Sequence, residues 1–269
     1  MHYDVRWANT RSKSFRVLCG TKQGGILSPD FFAIYIDDLI KELRKLKIGC
    51  HIINHFIACL LFADDVSVIA PTRGALQQLI NVCANYCSKF CLKFNVGKTK
   101  IIVFGKIHKS VHTLAKIIVN GEAIDYIDSC RYLGFYVVSS THFKVSVNED
   151  LRGFFGSVNS ILSSVQKPKE NVLMHLLFSN CVPKLTYGAA IKQLNASESN
   201  QYSVALNNAI RRIFGFRRWQ SIRQIRECYG YDSIEIMFAK AKKRFTGSLS
   251  NHHNDILKFL STLEVEVAM

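Results

Sequence analysis

The stretch that most restricts this chain is Phe62-Ala63-Asp64-Asp65, two adjacent carboxylates between two short apolar runs. Phe56-Ile57-Ala58-Cys59-Leu60-Leu61 precedes it and Val66-Ser67-Val68-Ile69-Ala70 follows. Apolar β-type runs flanking a short polar break predict a hairpin. Side by side on a tight turn, two carboxylates repel unless a cation or a proton intervenes. A divalent metal is the usual reason to keep such a pair ionised, and phosphoryl-transfer enzymes use one. Asp-Asp is also ordinary turn chemistry. The surroundings of the pair therefore decide what it means.

Upstream, residues 14–19 read as a short strand, followed by the glycine-rich turn Gly20-Thr21-Lys22-Gln23-Gly24-Gly25. Ser28 at the N-cap and Pro29 at N1 then predict a helix to about Leu46, with Phe31, Phe32, Ile34, Tyr35, Leu39 and Leu43 at helical spacing and Gly49 breaking it. Residues 48–70 read as two or three strands ending in the aspartate hairpin. Residues 74–92 return to helical spacing, and Asn95 and Gly97 lead into a strand at 100–104. Further strands fit 116–119 and 132–139, joined through the Asn120-Gly121 turn. Beyond about residue 150 the pattern is helical, with breaks near Pro168, Pro183 and Gly188.

An apolar content of 48% in 269 residues is enough for a substantial core. The net charge of +15 points to an acidic polymer as partner, nucleic acid before membrane. That charge is uneven: 9 basic and 7 acidic residues over 1–70, 10 and 5 over 71–150, and 16 and 8 over 151–269. The acids that metal chemistry needs thus sit early, and the polyanion-attracting surface grows later. Nine scattered cysteines suit a reducing compartment and buried thiols. The first six residues have no apolar signal core, and the longest apolar stretch, 52–63, is too short to span a membrane and carries Asn54 and His55. The chain reads as soluble and intracellular, nuclear or cytoplasmic, and not secreted. Its oligomeric state is open.

Taken in order, these segments resemble the reverse transcriptase domain of non-LTR (LINE-type) retrotransposons. Gly20 to Pro29 is similar to that family's motif B, and Phe62-Ala63-Asp64-Asp65 to motif C. Leu92-Lys93-Phe94-Asn95-Val96-Gly97-Lys98-Thr99-Lys100, with Val103-Phe104-Gly105, is similar to motif D, and Tyr132-Leu133-Gly134 to motif E, the primer grip. The resemblance implies an α+β fold: a partial right-hand polymerase palm over 1–150, then a helical, basic, thumb-like region over 151–269. It implies that Asp64 is a metal ligand for Mg2+ or Mn2+ with Asp65 as its supporting partner. Gln23, Gly24 and Gly25 would approach the template base and incoming nucleotide, and Lys98 the leaving pyrophosphate. The implied partners are an RNA template, a DNA primer and deoxynucleotides, with no membrane. The chemistry would be in-line attack of a primer 3′ hydroxyl on a nucleotide α-phosphate.

The family pattern also requires an aspartate on a strand before motif B. The 19 residues ahead of Gly20 hold one acid, Asp4, whose surroundings do not resemble that motif. The resemblance therefore implies a C-terminal part of a polymerase, lacking motif A and the fingers and inactive on its own. The alternative is a non-catalytic nucleic-acid-binding remnant of a retroelement.

Other candidate sites are weaker. Gly97-Lys98-Thr99 ends like a phosphate-binding loop, but Leu92 stands where that loop needs glycine. Cys83, Cys87 and Cys91 form one helical stripe and read as core residues. Cys50, His51, His55 and Cys59 alternate faces on strands and do not converge. Asp37 and Asp38 read as a solvated helix face. The run Arg211-Arg212-Ile213-Phe214-Gly215-Phe216-Arg217-Arg218-Trp219, with Arg223 and Arg226, places six arginines within sixteen residues among aromatics. Arginine suits phosphate contacts and aromatics stack on bases, so Arg211, Arg212, Arg217 and Arg218 are candidate contacts to a nucleic-acid backbone. An amphipathic helix with a solvated basic face is the plainer alternative.

Overall fold

A computed structural model describes residues 2–17, 20, 24–164 and 168–267. The fold is α+β, and the chain divides into two compact units that interleave along the sequence. The first comprises Met1–Lys100 with Ala115–Asp125, and the second Ile101–Leu114 with Tyr126–Met269.

The first unit opens with two small antiparallel pairs: β1 (His2–Tyr3) with β4 (Phe15–Arg16), and β2 (Arg6–Trp7) with β3 (Thr10–Arg11). Helix α1 (Ser28–Lys45) follows, with Leu27 at the N-cap and no side-chain cap bond. Ser28 is thus already helical and does not cap. Its backbone N–H instead donates to the Gly25 carbonyl at 3.2 Å, closing a turn ahead of the helix. Ile36, Leu39 and Leu43 of α1 are buried, whereas Ile34, on the same periodic run, is 73% exposed.

Strands β5 (His51–Ile52) and β6 (His55–Phe56) form one hairpin, and β7 (Cys59–Phe62) and β8 (Asp65–Val68) the next. Helix α2 (Arg73–Lys89) starts at Thr72, whose side chain accepts from the Ala75 N–H. The core here joins Leu39, Leu43, Ala58, Cys59, Leu79, Cys83 and Tyr86. Tyr86 Oη donates to the Tyr35 carbonyl at 2.6 Å and Tyr35 Oη to the Phe90 carbonyl at 2.5 Å, fastening α1 to the end of α2. Gly49 is required at the base of the hairpins. Its φ is +98°, and a Cβ there would sit 2.4 Å from the Ala58 Cβ.

Strand β9 is only Lys100–Ile101, shorter than the expected 100–104. Strands β10 (Ile117–Val119) and β11 (Glu122–Tyr126) pair across Asn120-Gly121, and β11 is the middle strand of the β10-β11-β9 sheet. The turn stands at Asn120-Gly121 as the sequence predicts, but its second strand is 122–126 rather than 132–139. A two-residue turn can pair only the runs that adjoin it. On β10, Ile118 exchanges two hydrogen bonds with the Gln77 side-chain amide, at 2.8 and 3.0 Å, so α2 satisfies that strand's edge.

In the second unit, the expected strand at 132–139 is instead parts of two: β12 (Ser129–Tyr132) and β13 (Phe135–Val138), with β14 (Lys144–Val145) on the far side of β13. The rest is helical: α3 (Val147–Ser164), α4 (Glu170–Leu176), a π-helical turn Leu177–Cys181, α5 (Val182–Thr186), α6 (Ala196–Ile213), α7 (Arg223–Tyr229), α8 (Ile234–Ser250) and α9 (Asp255–Val267). The core of this unit includes Phe154, Val158, Met174, Leu177, Leu185, Tyr202, Leu206 and Ile234. Within it Lys192, with a side chain 2% exposed, reaches Asp150 at 2.7 Å and the Leu185 carbonyl at 3.3 Å, and Tyr202 Oη donates to the same Asp150 oxygen. Burial, then the hydrogen bond to Asp150, push the Tyr202 phenol far up, so it stays a donor. Among the described residues, no helix is long and apolar enough to cross a membrane.

Candidate functional site

The aspartate hairpin is a two-residue turn. Phe62 pairs with Asp65, leaving Ala63 and Asp64 at its tip. Ala63 has φ of +50°, a left-handed conformation that costs a residue with a Cβ about 1–2 kcal/mol. The register divides the side chains cleanly. Leu61 and Val68 pack with buried Cys59 against the core, and Leu60 and Phe62 share the opposite face with Asp65 and Ser67. That second face is open, and Phe62 is 62% exposed. The base of the hairpin is held by Ile69 N–H to the Ala58 carbonyl at 2.8 Å and Cys50 N–H to the Ile69 carbonyl at 3.2 Å.

Asp64 and Asp65 are both exposed, and neither takes part in an ion pair or a side-chain hydrogen bond among the described residues. Their oxygens are hard donors left free of lysine and arginine, which suits a hard divalent ion bound together with water and phosphate. Among the described residues, no cluster of three His, Cys, Asp or Glu side chains could hold a metal. Two adjacent carboxylates are thus what the described residues supply here, with no third such side chain beside them. Asp4 is not among their neighbours and pairs with Arg11 at 3.6 Å.

Other expected site residues of the first unit lie on loops. Gln23 falls outside the described residues. Gly24 has φ of +78° with open space where a Cβ would project, and Gly25 closes the turn into α1. Lys98 is exposed on a loop fixed by Asn95, whose side chain accepts from the Lys98 N–H at 3.0 Å and whose carbonyl accepts from Thr99 Oγ1 at 2.8 Å. No hydrogen bond or ion pair links Lys98 to either aspartate among the described residues.

In the second unit, Tyr132-Leu133-Gly134 is where β12 turns into β13, with φ of +46° at Leu133 and +85° at Gly134. The chain near residue 187 grips this turn. Tyr187 Oη donates to the Leu133 carbonyl at 2.9 Å, and its ring stacks on Phe135 at 4.8 Å. A Cβ on Gly134 would lie 2.9 Å from the Tyr187 ring, and one on Gly188 would lie 2.2 Å from Phe135. Sequence reasoning missed Tyr187, and it read Gly188 only as a helix break. Their partners lie more than fifty residues away, and no local pattern announces such a contact.

The arginines divide by role. Arg211 donates to the Gln220 carbonyl at 2.9 Å and to Asn208 at 3.0 Å, Arg212 to Asn159 at 2.9 Å, and Arg226 to Asn207 at 2.9 Å. These partners are neutral, so the charges remain. Arg223 is paired with Glu227 at 2.8 Å. Arg217 and Arg218 are exposed and have no acidic partner among the described residues. Helix α6 ends at Ile213, so Arg217 and Arg218 sit on a loop rather than on a continuous basic helix face.

The remaining cysteine and acid clusters resolve on packing. Burial pushes the Cys59 thiol up to about 11 and the Cys83 thiol up to about 12. Cys91 departs from its stripe: it lies past the end of α2 with φ of +54° and is exposed rather than in the core. Asp37 and Asp38 are solvated and share Lys41, at 3.1 and 2.7 Å.

Against known proteins, the model of the family described as reverse transcriptase (RNA-dependent DNA polymerase) matches residues 2–137. No solved structure matches the chain.

Proposed function

We propose that this chain, which belongs to the reverse transcriptase family, comes from a non-LTR (LINE-type) retrotransposon and works on an RNA template with a DNA primer and deoxynucleotides. One observation carries the reading: two adjacent carboxylates, free of cationic partners among the described residues, sit at the tip (Asp64) and on the first strand residue after it (Asp65) of a two-residue hairpin inside the matched region. In this reading residues 1–150 are a partial palm and residues 151–269 a thumb-like region, acting inside the cell.

Asp64, with Asp65 beside it, would hold Mg2+ or Mn2+ through carboxylate oxygens. Bound there, the ion would stabilise charge on the phosphate oxygens of the reacting nucleotide. The chain's own groups do the positioning. Gly24 and Gly25 let backbone pass close to a base pair, because no Cβ intervenes. Lys98 offers a cation to the departing pyrophosphate. The 132–134 turn, rigid under Tyr187, presents a fixed edge to the primer. Arg211, Arg212, Arg217 and Arg218 meet phosphates.

Among the described residues no third carboxylate joins the pair, and in this reading the chain alone binds template and primer without extending it. That favours nucleic-acid binding as its activity in isolation. The test is primer extension on an RNA template with Mg2+ or Mn2+, run beside binding at several salt concentrations. The expected result is no incorporation. Binding should fall steeply with salt, survive Asp64→Ala and weaken when the four arginines are changed to glutamine. Incorporation that Asp64→Ala abolishes would overturn the inactivity. Absence of binding at low salt would overturn the nucleic-acid reading.

A further inference from the structure

We propose that Trp219, at the tip of the Arg217–Gln220 turn, is a stacking platform for the bases of single-stranded nucleic acid. This rests on the nucleic-acid reading above and adds base contact to phosphate contact. Trp219 is 75% exposed, so its ring is open to a ligand. It is not on a loose loop. The Gln220 N–H donates to the Arg217 carbonyl at 3.0 Å, and the Gln220 side-chain oxygen accepts from the Arg217 N–H at 2.6 Å. The Arg211 guanidinium grips the Gln220 carbonyl from α6, and Ile222, 5% exposed, anchors the exit of the turn in the core. A ring held ready in this way loses little freedom on binding.

The surroundings select the ligand. Residues 211–226 contain six arginines and no acid. The Arg217 guanidinium lies over the Trp219 ring, 5.3 Å from its centroid, and Arg218 next to it is exposed with no partner among the described residues. An indole backed by one guanidinium and flanked by another suits a base whose own phosphate is at hand. Bases within a duplex are already stacked on one another, so an unpaired strand is the ligand that offers a free face.

The chain has two tryptophans, Trp7 and Trp219. In a Trp7→Phe background the emission therefore reports Trp219 alone. Titration with oligo(dT) of ~12 nucleotides should quench that emission, with an affinity that falls as salt rises. Inorganic polyphosphate should bind and leave the emission in place. Trp219→Ala should weaken oligo(dT) binding about 5- to 100-fold and leave polyphosphate binding unchanged, while Trp219→Phe keeps most of the affinity. Unchanged thermal midpoints would show that these exposed substitutions leave the fold intact. Oligo(dT) binding without quenching and without a Trp219→Ala effect would overturn the platform while leaving the phosphate contacts standing. Quenching by phosphatidylserine vesicles in place of oligo(dT) would also overturn it, in favour of a membrane contact. If neither polyanion binds at low salt, the nucleic-acid reading falls as well.

Discussion

Asp64 and Asp150 are the same side chain in opposite surroundings. Asp64 sits at the tip of a turn, exposed and without a cationic partner among the described residues, next to a second carboxylate. Asp150 sits in the first turn of α3, where Lys192 and Tyr202 both donate to one of its oxygens. Asp150 is satisfied by its own chain, whereas Asp64 is exposed and has no such partner among the described residues. Exposure keeps the desolvation cost of the pair low and lets water screen, without removing, the repulsion between Asp64 and Asp65. The comparison therefore predicts large effects on stability at Asp150 and small ones at Asp64.

The largest is Lys192→Met. It leaves a partly buried carboxylate with Tyr202 alone and should cost about 3–5 kcal/mol in urea unfolding. A loss under about 1 kcal/mol would mean that Asp150 does not need the cation and would erase the contrast. Next is Gly134→Ala, which places a Cβ against Tyr187 at positive φ and should cost about 2–4 kcal/mol. Tyr187→Phe, which removes only the bond to the Leu133 carbonyl, should cost about 1 kcal/mol.

A third carboxylate, Glu198, lies between the extremes. Burial works to raise its pKa, but hydrogen bonds from Lys144 and the Asn195 N–H outweigh that and hold it below the ordinary value of 4.5. A carboxylate so lowered contributes stability above its unfolded pKa and loses it as pH falls through the folded value. Glu198→Gln should therefore cost about 1 kcal/mol at neutral pH and flatten the loss of stability below about pH 4.5. An unaltered acid profile would remove Glu198 from the list of structural carboxylates. The smallest effect belongs to the proposed site: Asp64→Asn should shift unfolding by no more than about 0.5 kcal/mol in either direction. A destabilisation above about 2 kcal/mol would mean that Asp64 belongs to the scaffold.

How much of this was legible in the sequence follows from how local each feature is. The hairpin at 59–68 was legible because two apolar runs directly adjoin one short polar break. Helices α1 and α2 were legible from spacing, although Ser28 misled as a cap. The helix starts one residue earlier than the Ser-Pro pair suggests, because the Gly25–Ser28 turn leads the chain in. The strand 122–126 was missed because Glu-Ala-Ile-Asp-Tyr buries only Ile124, too faint an alternation to compete with the more apolar 132–139. Of the candidate site, the aspartates, glycines and arginines could be named from their motifs. The supports could not. Tyr187 on Leu133, Gly49 against Ala58 and Gln220 under Arg211 are contacts that exist only after folding.

The interleaving of the two units bears on how such a chain can be inherited. The backbone crosses from one unit to the other after residues 100, 114 and 125. No single breakpoint leaves both units whole: a cut after 100 strips β10 and most of β11 from the first, and a cut after 125 strips 101–114 from the second. Recombination, insertion or frameshift at any one point therefore leaves at least one unit incomplete. A cut after 125 keeps the aspartate hairpin in a whole first unit, but the arginine loop then belongs to a second unit that lacks 101–114.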